Sequence, residues 1–242
     1  YGAKKFGGLG IVPLIVQQCF MKLSLFLRHL RAQDDVGKQI FISMGYTQLE
    51  LGTAVHFLRL DFALYRHLIT PTWTTHLWEF LSLSKIEIWA ATTEPVWLPS
   101  PPRVDDSFLI HHIQRSGLSH SDQHVLNEWR IYLSVLPVTD MATSSGTKIS
   151  PDIFYGWRSD ERSSILTWPI ASRPHVDLLP LWQSFLISFI VPSGTTLRCP
   201  LGDWISAVPY HKSWNYRVDP MGGLWKIDQL LACFSELRGS PT

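Results

Sequence analysis

The chain has 242 residues, of which 45% are hydrophobic and 17% charged, and its formal net charge at pH 7 is +1. This composition excludes a disordered or collagen-like chain, because it supplies enough apolar surface for a core with only 15 glycines and 16 prolines. The near-neutral charge also argues against an autonomous nucleic-acid-binding protein, which normally carries a strongly basic stripe.

Helical periodicity dominates the first part of the sequence. Apolar residues between positions 13 and 31 recur at spacings of three and four, which predicts a helix that begins at Pro13. Asp34 or Asp35 is suited to cap a second helix that ends at Gly52. A third predicted helix follows Thr70 and Pro71 and carries Trp73, Leu77, Trp78, Phe80 and Leu81.

Proline then marks a change in organisation. Residues 85–89 alternate polar and apolar side chains, which indicates a short strand. Four prolines follow between Glu94 and Arg103, and each removes a backbone donor and restricts the residue before it. We therefore predict three parts: a helical region over residues 1–93, a proline-rich linker over 94–104 and a mixed α+β region over 105–242.

The mixed region combines helical and hairpin patterns. Ser144, Ser145 and Gly146 form a turn between two apolar runs, and residues 214–227 alternate around Asp219-Pro220-Met221-Gly222-Gly223, a second hairpin signal. The predicted helices cover residues 105–115, 121–136, 177–191 and 228–238. The predicted fold class is therefore α+β, mainly helical in its N-terminal and central parts, with short strands and a β-hairpin in its C-terminal part.

The 11 tryptophans are an unusual excess that could serve either a core or a base-stacking surface. Most coincide with predicted apolar faces, on helices for Trp73, Trp78, Trp129 and Trp182 and on a hairpin for Trp214 and Trp225. Core packing is therefore the favoured role. Trp89, Trp97 and Trp157 lie in or beside irregular segments and are the candidates for a contact surface.

The cysteines and the apolar segments indicate where in the cell the protein is located. Cys19, Cys199 and Cys233 are odd in number and lack metal-site spacing, so we expect an intracellular protein, in the cytoplasm or the nucleus. The most apolar stretch, residues 14–30, carries Gln17, Gln18, Lys22, Arg28 and His29, which a bilayer would have to desolvate, so no membrane span is expected. The chain begins at Tyr1 rather than Met, which suggests a piece of a longer protein.

Sequence motifs for catalysis are missing. The sequence contains no G-x-S-x-G, Walker loop, G-x-G-x-x-G or H-E-x-x-H motif. The acid pairs Asp34-Asp35 and Asp105-Asp106 are better explained as helix caps than as metal ligands, and His120 with His124 as surface or capping histidines. A ribonuclease H arrangement would need acids that converge, and the spacing of the available acids does not favour it: Asp140, Asp152, Asp160, Glu161 and Asp177. We predict no catalytic residues, no metal and no cofactor.

Short motifs occur in order along the chain and together suggest a family. They begin with Phe6-Gly7-Gly8-Leu9-Gly10-Ile11, preceded by Lys4-Lys5, and continue through Phe26–Arg31, Gln48–Thr53, Ile69–Trp73, Leu77–Leu81, Asp106–Leu109, Arg130–Leu133, Trp168-Pro169, Leu181-Trp182 and Pro200–Trp204. This series resembles the region that follows the polymerase core in reverse transcriptases of non-LTR (LINE-like) retrotransposons. The resemblance spans nearly the whole chain, although each motif is short.

The resemblance implies RNA-directed DNA synthesis by a parent polyprotein, whose aromatic-x-Asp-Asp motif would lie upstream of Tyr1. It implies that this chain is a non-catalytic wrist or connector that helps to hold template RNA or an RNA/DNA hybrid, or that orients neighbouring domains. Residues 1–60 carry a net charge of +4, whereas residues 61–150 carry −3. The candidate nucleic-acid contacts are therefore Lys4, Lys5, Arg28 and Arg31. The alternative is a structural module that docks onto the upstream polymerase domain.

Overall fold

The computed structural model describes residues 13–32, 34–88, 101–158, 172–192, 194–205, 216–218 and 224–226. Eight α-helices occur in these ranges: α1 (Leu14–Ala32), α2 (Asp35–Leu51), α3 (Phe62–Tyr65), α4 (Trp73–Ser84), α5 (Leu109–Arg115), α6 (His120–Tyr132), α7 (Pro151–Phe154) and α8 (Leu179–Phe185). A π-helical segment, Leu186–Ile190, continues α8, and 3-10 turns occupy Phe57–Arg59, Arg66–Leu68, Val138–Met141 and Val176–Leu178. Strands β1 (Tyr216–Val218) and β2 (Leu224–Lys226) are antiparallel, with Tyr216 opposite Lys226.

The predicted fold class, α+β, is wrong, because the protein is mainly helical. No strand occurs in the described residues between 13 and 205, where only isolated bridges form, such as Ala142 with Ile149. No strand forms over residues 85–88: Lys85 is the left-handed cap of α4, and residues 86–88 have no regular secondary structure, whereas Trp89 lies outside the described residues. β1 and β2 have three residues each, which does not amount to a sheet layer, and the turn predicted at 219–223 lies outside the described residues.

Helices α1 and α2 form a hairpin through a short connection. The Asp34 carboxylate accepts a hydrogen bond from the backbone N–H of Gly37 at 2.9 Å, which confirms the predicted cap of α2. Gly37 is needed there, because a Cβ at this position would collide with the carbonyl group of His29. The helix ends at Gly52 in the left-handed conformation, as the sequence indicates.

Two hydrophobic cores support the fold. The N-terminal core packs α1, α2 and α4 around residues such as Phe26, Met44 and Trp78. The C-terminal core packs α5, α6 and α8 around residues such as Trp129 and Trp182. Trp78, Trp129 and Trp182 are fully buried, which confirms the core role predicted for them.

We call the described residues 13–88 the first half of the fold and those between 101 and 205 the second half. The helices of the second half are shorter than predicted. Helix α5 begins at Leu109 rather than Asp105, because the Asp106 carboxylate binds the Thr139 hydroxyl at 2.7 Å instead of capping a helix. Helix α6 ends at Tyr132 rather than Leu136, and Ser134 takes a positive φ of 60° just beyond it. The predicted helix over 177–191 corresponds to α8 and its π-helical continuation.

The start of the second half is anchored by Arg103. Its guanidinium donates to the carbonyl oxygens of Gly202 at 2.7 Å and Ser144 at 3.2 Å, and it lies 5.1 Å from the centre of the Trp204 ring. Residues 89–100, which include most of the predicted linker, lie outside the described residues. The three-part division of the chain stays a prediction.

Candidate nucleic-acid interface

The described part of the predicted contact set lies on α1. Cys19, Phe26 and Leu30 face the core from this helix. Arg28 and Arg31 are exposed on its other sides, near its C-terminal end. Lys4 and Lys5 lie outside the described residues, so the structure brings together only two of the four predicted cations.

Acidic neighbours reduce the positive field at this end of α1. The pKa of Asp34 is lowered, first by the hydrogen bond from the Gly37 N–H, then by its hydrogen bond with His29, and also by the charge of Arg28. Asp34 is therefore ionised at neutral pH and attracts Arg28. This corner of the molecule offers a polyanion a mild attraction rather than a strong one.

The outward side of α1 is also apolar. Leu14, Met21 and Leu25 are exposed, with Met21 at 66% exposure, and their spacing of seven and four residues places them on one side of the helix. Arg28 continues this row three residues further on. An exposed row of large apolar side chains is typical of a protein-docking face, whereas phosphate contacts need cations.

A buried polar joint connects the two halves of the fold. We define the α2–α6 joint as Glu50, Asn127 and Arg130, all of which are buried. The Arg130 guanidinium donates to the carbonyl oxygens of Leu49 at 2.7 Å and Glu50 at 2.8 Å. These carbonyls lie at the C-terminal end of α2, where a cation also interacts favourably with the helix dipole.

The joint explains why residue 52 is a glycine, and Arg130 keeps its proton within it. A Cβ at Gly52, whose φ is +61°, would lie 2.6 Å from Nη1 of Arg130, so a side chain there would displace the guanidinium. Burial lowers the pKa of Arg130 to about 9, which leaves it charged at neutral pH. Its N–H groups donate to carbonyl oxygens, including that of Val135 at 3.2 Å, and to Oδ1 of Asn127 at 2.7 Å, and the charges of Glu50 and Asp140 act to raise its pKa.

The Glu50 carboxyl is the acid of the joint, and its pKa is strongly perturbed. Its Oε1 accepts from the backbone N–H of Thr70 at 3.1 Å and from the Thr70 hydroxyl at 2.6 Å, whereas its buried Oε2 has no partner. Burial raises the pKa of Glu50 to about 7, although the two Thr70 hydrogen bonds and the charge of Arg130 act in the opposite direction. A proton on Oε2 is therefore held at neutral pH by a large fraction of the molecules.

Two further contacts connect α6 to the first half of the chain. The Asn127 amide donates to the carbonyl oxygens of Glu50 and Leu68, both at 2.9 Å. The His67 ring stacks on His120 with 4.1 Å between centres, and its Nε2 lies 2.9 Å from Oε1 of Gln123. Because the Gln123 amide nitrogen donates to a carbonyl oxygen, its Oε1 accepts, and Nε2 of His67 carries the proton.

Sequence reasoning did not identify this joint, although a signal for it exists. Leu126, Arg130 and Leu133 are four and three residues apart, so Arg130 lies on the apolar row of α6. A charged residue on an apolar row must find buried partners. Glu50 stands between Leu49 and Leu51, and both segments of the joint belong to motifs on which the family resemblance rests.

The acids considered for catalysis serve local structure. Asp140 accepts from the backbone N–H of Leu136 at 2.8 Å, and Asp177 is exposed beside His175. Asp160 and Glu161 lie outside the described residues. Among the residues that the structure describes, no three His, Cys, Asp or Glu side chains converge on a position that could hold a metal ion.

Comparison with known proteins adds no relative. The chain matches no protein-family model, no curated protein and no solved structure. The family resemblance stays a prediction that depends on the ordered motifs alone. Over the described ranges, none of the helices combines the length and the apolar character that crossing a bilayer requires.

Proposed function

We propose that this chain is a non-catalytic region of the reverse transcriptase polyprotein of a LINE-like retrotransposon and supports template binding beside the polymerase domain. It acts inside the cell, in the cytoplasm or the nucleus. The observation that carries the proposal is the ordered series of motifs, combined with the exposed Arg28 and Arg31 on α1. Its ligand is the template RNA or the RNA/DNA hybrid, bound through phosphate groups.

The α2–α6 joint supports this proposal by giving the chain the character of a rigid connector. Arg130 and Asn127 tie α6 to the C-terminal end of α2 through four hydrogen bonds to the backbone of the first half. Such a connection holds α1 at a fixed position relative to the second half of the chain. A connector of this kind can orient neighbouring domains without chemistry of its own.

Salt-dependent binding tests the template contact. The full chain is titrated into a fluorescein-labelled 20-nucleotide RNA and into the matching RNA/DNA hybrid, at several salt concentrations. We expect R28Q/R31Q to weaken binding to both ligands and to reduce the slope of log K against log [salt] by about 1.4 for the single-stranded RNA and about 1.8 for the hybrid, as for two phosphate contacts. The matched control is R115Q/K148Q, which removes two exposed cations elsewhere.

Two outcomes contradict the proposed contact. The first is affinity that does not change with salt, since phosphate contacts release counterions. The second is an equal loss in R28Q/R31Q and R115Q/K148Q, which would indicate a general effect of net charge. The family itself is tested by the gene sequence upstream of Tyr1: a continuous reading frame without an aromatic-x-Asp-Asp palm motif would refute it.

The apolar row on α1 favours a second candidate function, docking onto the upstream polymerase domain. Leu14, Met21 and Leu25 are exposed on one side of the helix, where water contact is unfavourable. A polymerase domain expressed from the upstream reading frame should retain the wild-type chain in a pull-down. L25E should lose this interaction, whereas L83E, at an exposed position at the end of α4, should keep it. Retention of L25E would refute docking through this face.

A further inference from the structure

An exposed aromatic pair lies on the opposite half of the chain from α1. Tyr155 and Trp157 are 48% and 56% exposed, and their ring centres are 5.4 Å apart with a 33° angle between the planes. Large aromatic side chains are normally buried, as Trp78, Trp129 and Trp182 are here. We define these two residues as the aromatic platform.

The backbone that carries the aromatic platform packs against the C-terminal core. Gly156, between the two aromatic residues, has a φ of +66° and approaches Trp129 so closely that a Cβ would lie 2.7 Å from Cζ3 of the indole. The Trp182 indole N–H donates to the carbonyl oxygen of Ile153 at 2.9 Å, just before the platform. The backbone that carries the rings is therefore held from beneath by two buried tryptophans, so a ligand meets rings that are already positioned.

The charges around the platform favour an anionic ligand. Arg158 follows Trp157 directly, and the Arg173 guanidinium lies 6.0 Å from the centre of the same Trp129 ring that supports Gly156. Neither arginine forms an ion pair within the described part of the chain. Among the described residues, Asp152, Arg158 and Arg173 together carry one net positive charge, and Asp160, Glu161 and Arg162, which follow in the sequence, lie outside the described residues.

We propose that the aromatic platform stacks bases of single-stranded nucleic acid, with Arg158 and Arg173 contacting the adjacent phosphates. Bases in a duplex are already stacked and paired, whereas those of a single strand are free to stack on Tyr155 and Trp157. Base stacking is tolerant of sequence, because every base has a π-face. This inference deepens the proposed function and rests on it, since it names the strand type and adds a second contact surface to α1.

The test compares strands with and without bases. The full chain is titrated into three labelled probes of equal length: oligouridylate, an abasic strand with the same phosphate spacing, and an RNA/DNA hybrid. We expect W157A to weaken binding to oligouridylate about tenfold, in line with the loss of one stacked base, and to leave the other two affinities unchanged. W157F keeps an aromatic face and should lose less, and L83A is the control for loss of an exposed apolar side chain.

The arginines are tested separately. R158Q/R173Q should weaken binding to oligouridylate and to the abasic strand alike, and should reduce the salt slope on single strands by about 1.4 for two phosphates. Circular dichroism of each variant checks that the helices are retained. An R158Q/R173Q variant with the wild-type salt slope would overturn the phosphate contacts.

The remaining outcomes decide the proposal. Unchanged binding of oligouridylate by W157A overturns it, and so does an equal loss on the abasic strand. Binding of a proline-rich peptide through Trp157, without affinity for oligouridylate, also overturns it in favour of protein docking. The proposed contact on α1 can fail separately from the platform. If W157A weakens binding to oligouridylate while R28Q/R31Q binds as tightly as the wild type, the template contact on α1 is refuted and the platform is retained.

Discussion

Replacing Glu50 by Gln should make the protein more stable at alkaline pH and leave it nearly unchanged at acidic pH. The Glu50 carboxyl is buried, and burial raises its pKa from 4.5 to about 7 in the folded state. Gln has the shape of the neutral carboxyl group: its oxygen can accept from Thr70, and its amide occupies the position of the unpartnered Oε2. The substitution therefore removes a charge that the fold accommodates poorly.

The sign follows from proton binding. Because the folded pKa lies above the unfolded one, the folded state binds more protons, so its stability falls as the pH rises through the folded pKa. Each pKa unit corresponds to about 1.4 kcal/mol, and integration between pH 5 and pH 8 gives a loss of roughly 2–3 kcal/mol from this side chain. The stability advantage of E50Q over the wild type should be small near pH 5 and should grow by about this amount between pH 5 and pH 8.

Urea denaturation followed by circular dichroism at pH 5 and pH 8 measures both free energies of unfolding. The informative quantity is the difference between wild type and E50Q at each pH, because the other titrating groups cancel. E87Q, at an exposed position, is the control and should show no such change. A difference that is constant between pH 5 and pH 8 would refute the reasoning, and a larger loss in E50Q at pH 8 would indicate a favourable ion pair with Arg130.

Three further substitutions test the joint and the helix hairpin. R130M should lower the free energy of unfolding by about 3–5 kcal/mol, because it leaves buried carbonyl oxygens at the end of α2 unpaired, as urea denaturation can show. D34A should lower the free energy of unfolding in the same assay, by less than R130M does, since it removes the cap on the Gly37 N–H. Burial lowers the pKa of His67, so the fold should weaken as the pH falls below 6.5, and H67F should lose less stability than the wild type between pH 7 and pH 5.

Local patterns predicted the helices well and the contacts between them poorly. The spacing of apolar residues and the caps at Asp34 and Gly52 define α1 and α2 nearly to the residue, because these signals act within a few residues. Alternation at 85–89 predicted a strand that has no partner in the described residues, since pairing depends on distant segments. Asp106 was expected to cap a helix and instead binds Thr139, 33 residues away.

The candidate surfaces show the same limit. Exposure of Arg28 and Arg31 could be predicted from the helical period, because both lie off the row of Cys19, Phe26 and Leu30. The irregular sequence around Trp157 indicates a contact surface, but the pairing of Trp157 with Tyr155 depends on the positive φ of Gly156 and on the close packing of Gly156 against Trp129. Neither of these is encoded in the local pattern.

Two titrating groups lie at the contact between the two halves of the fold, and their effects on its stability depend on pH in opposite directions. Glu50 weakens the joint as the pH rises, whereas His67, stacked on His120 with no partner for its buried Nδ1, weakens the same contact as the pH falls. Arg130 stays charged between these limits and holds the end of α2. The two dependences therefore act over overlapping pH ranges and partly cancel, since Glu50 destabilises the contact as the pH rises towards about 7 and His67 destabilises it as the pH falls below 6.5.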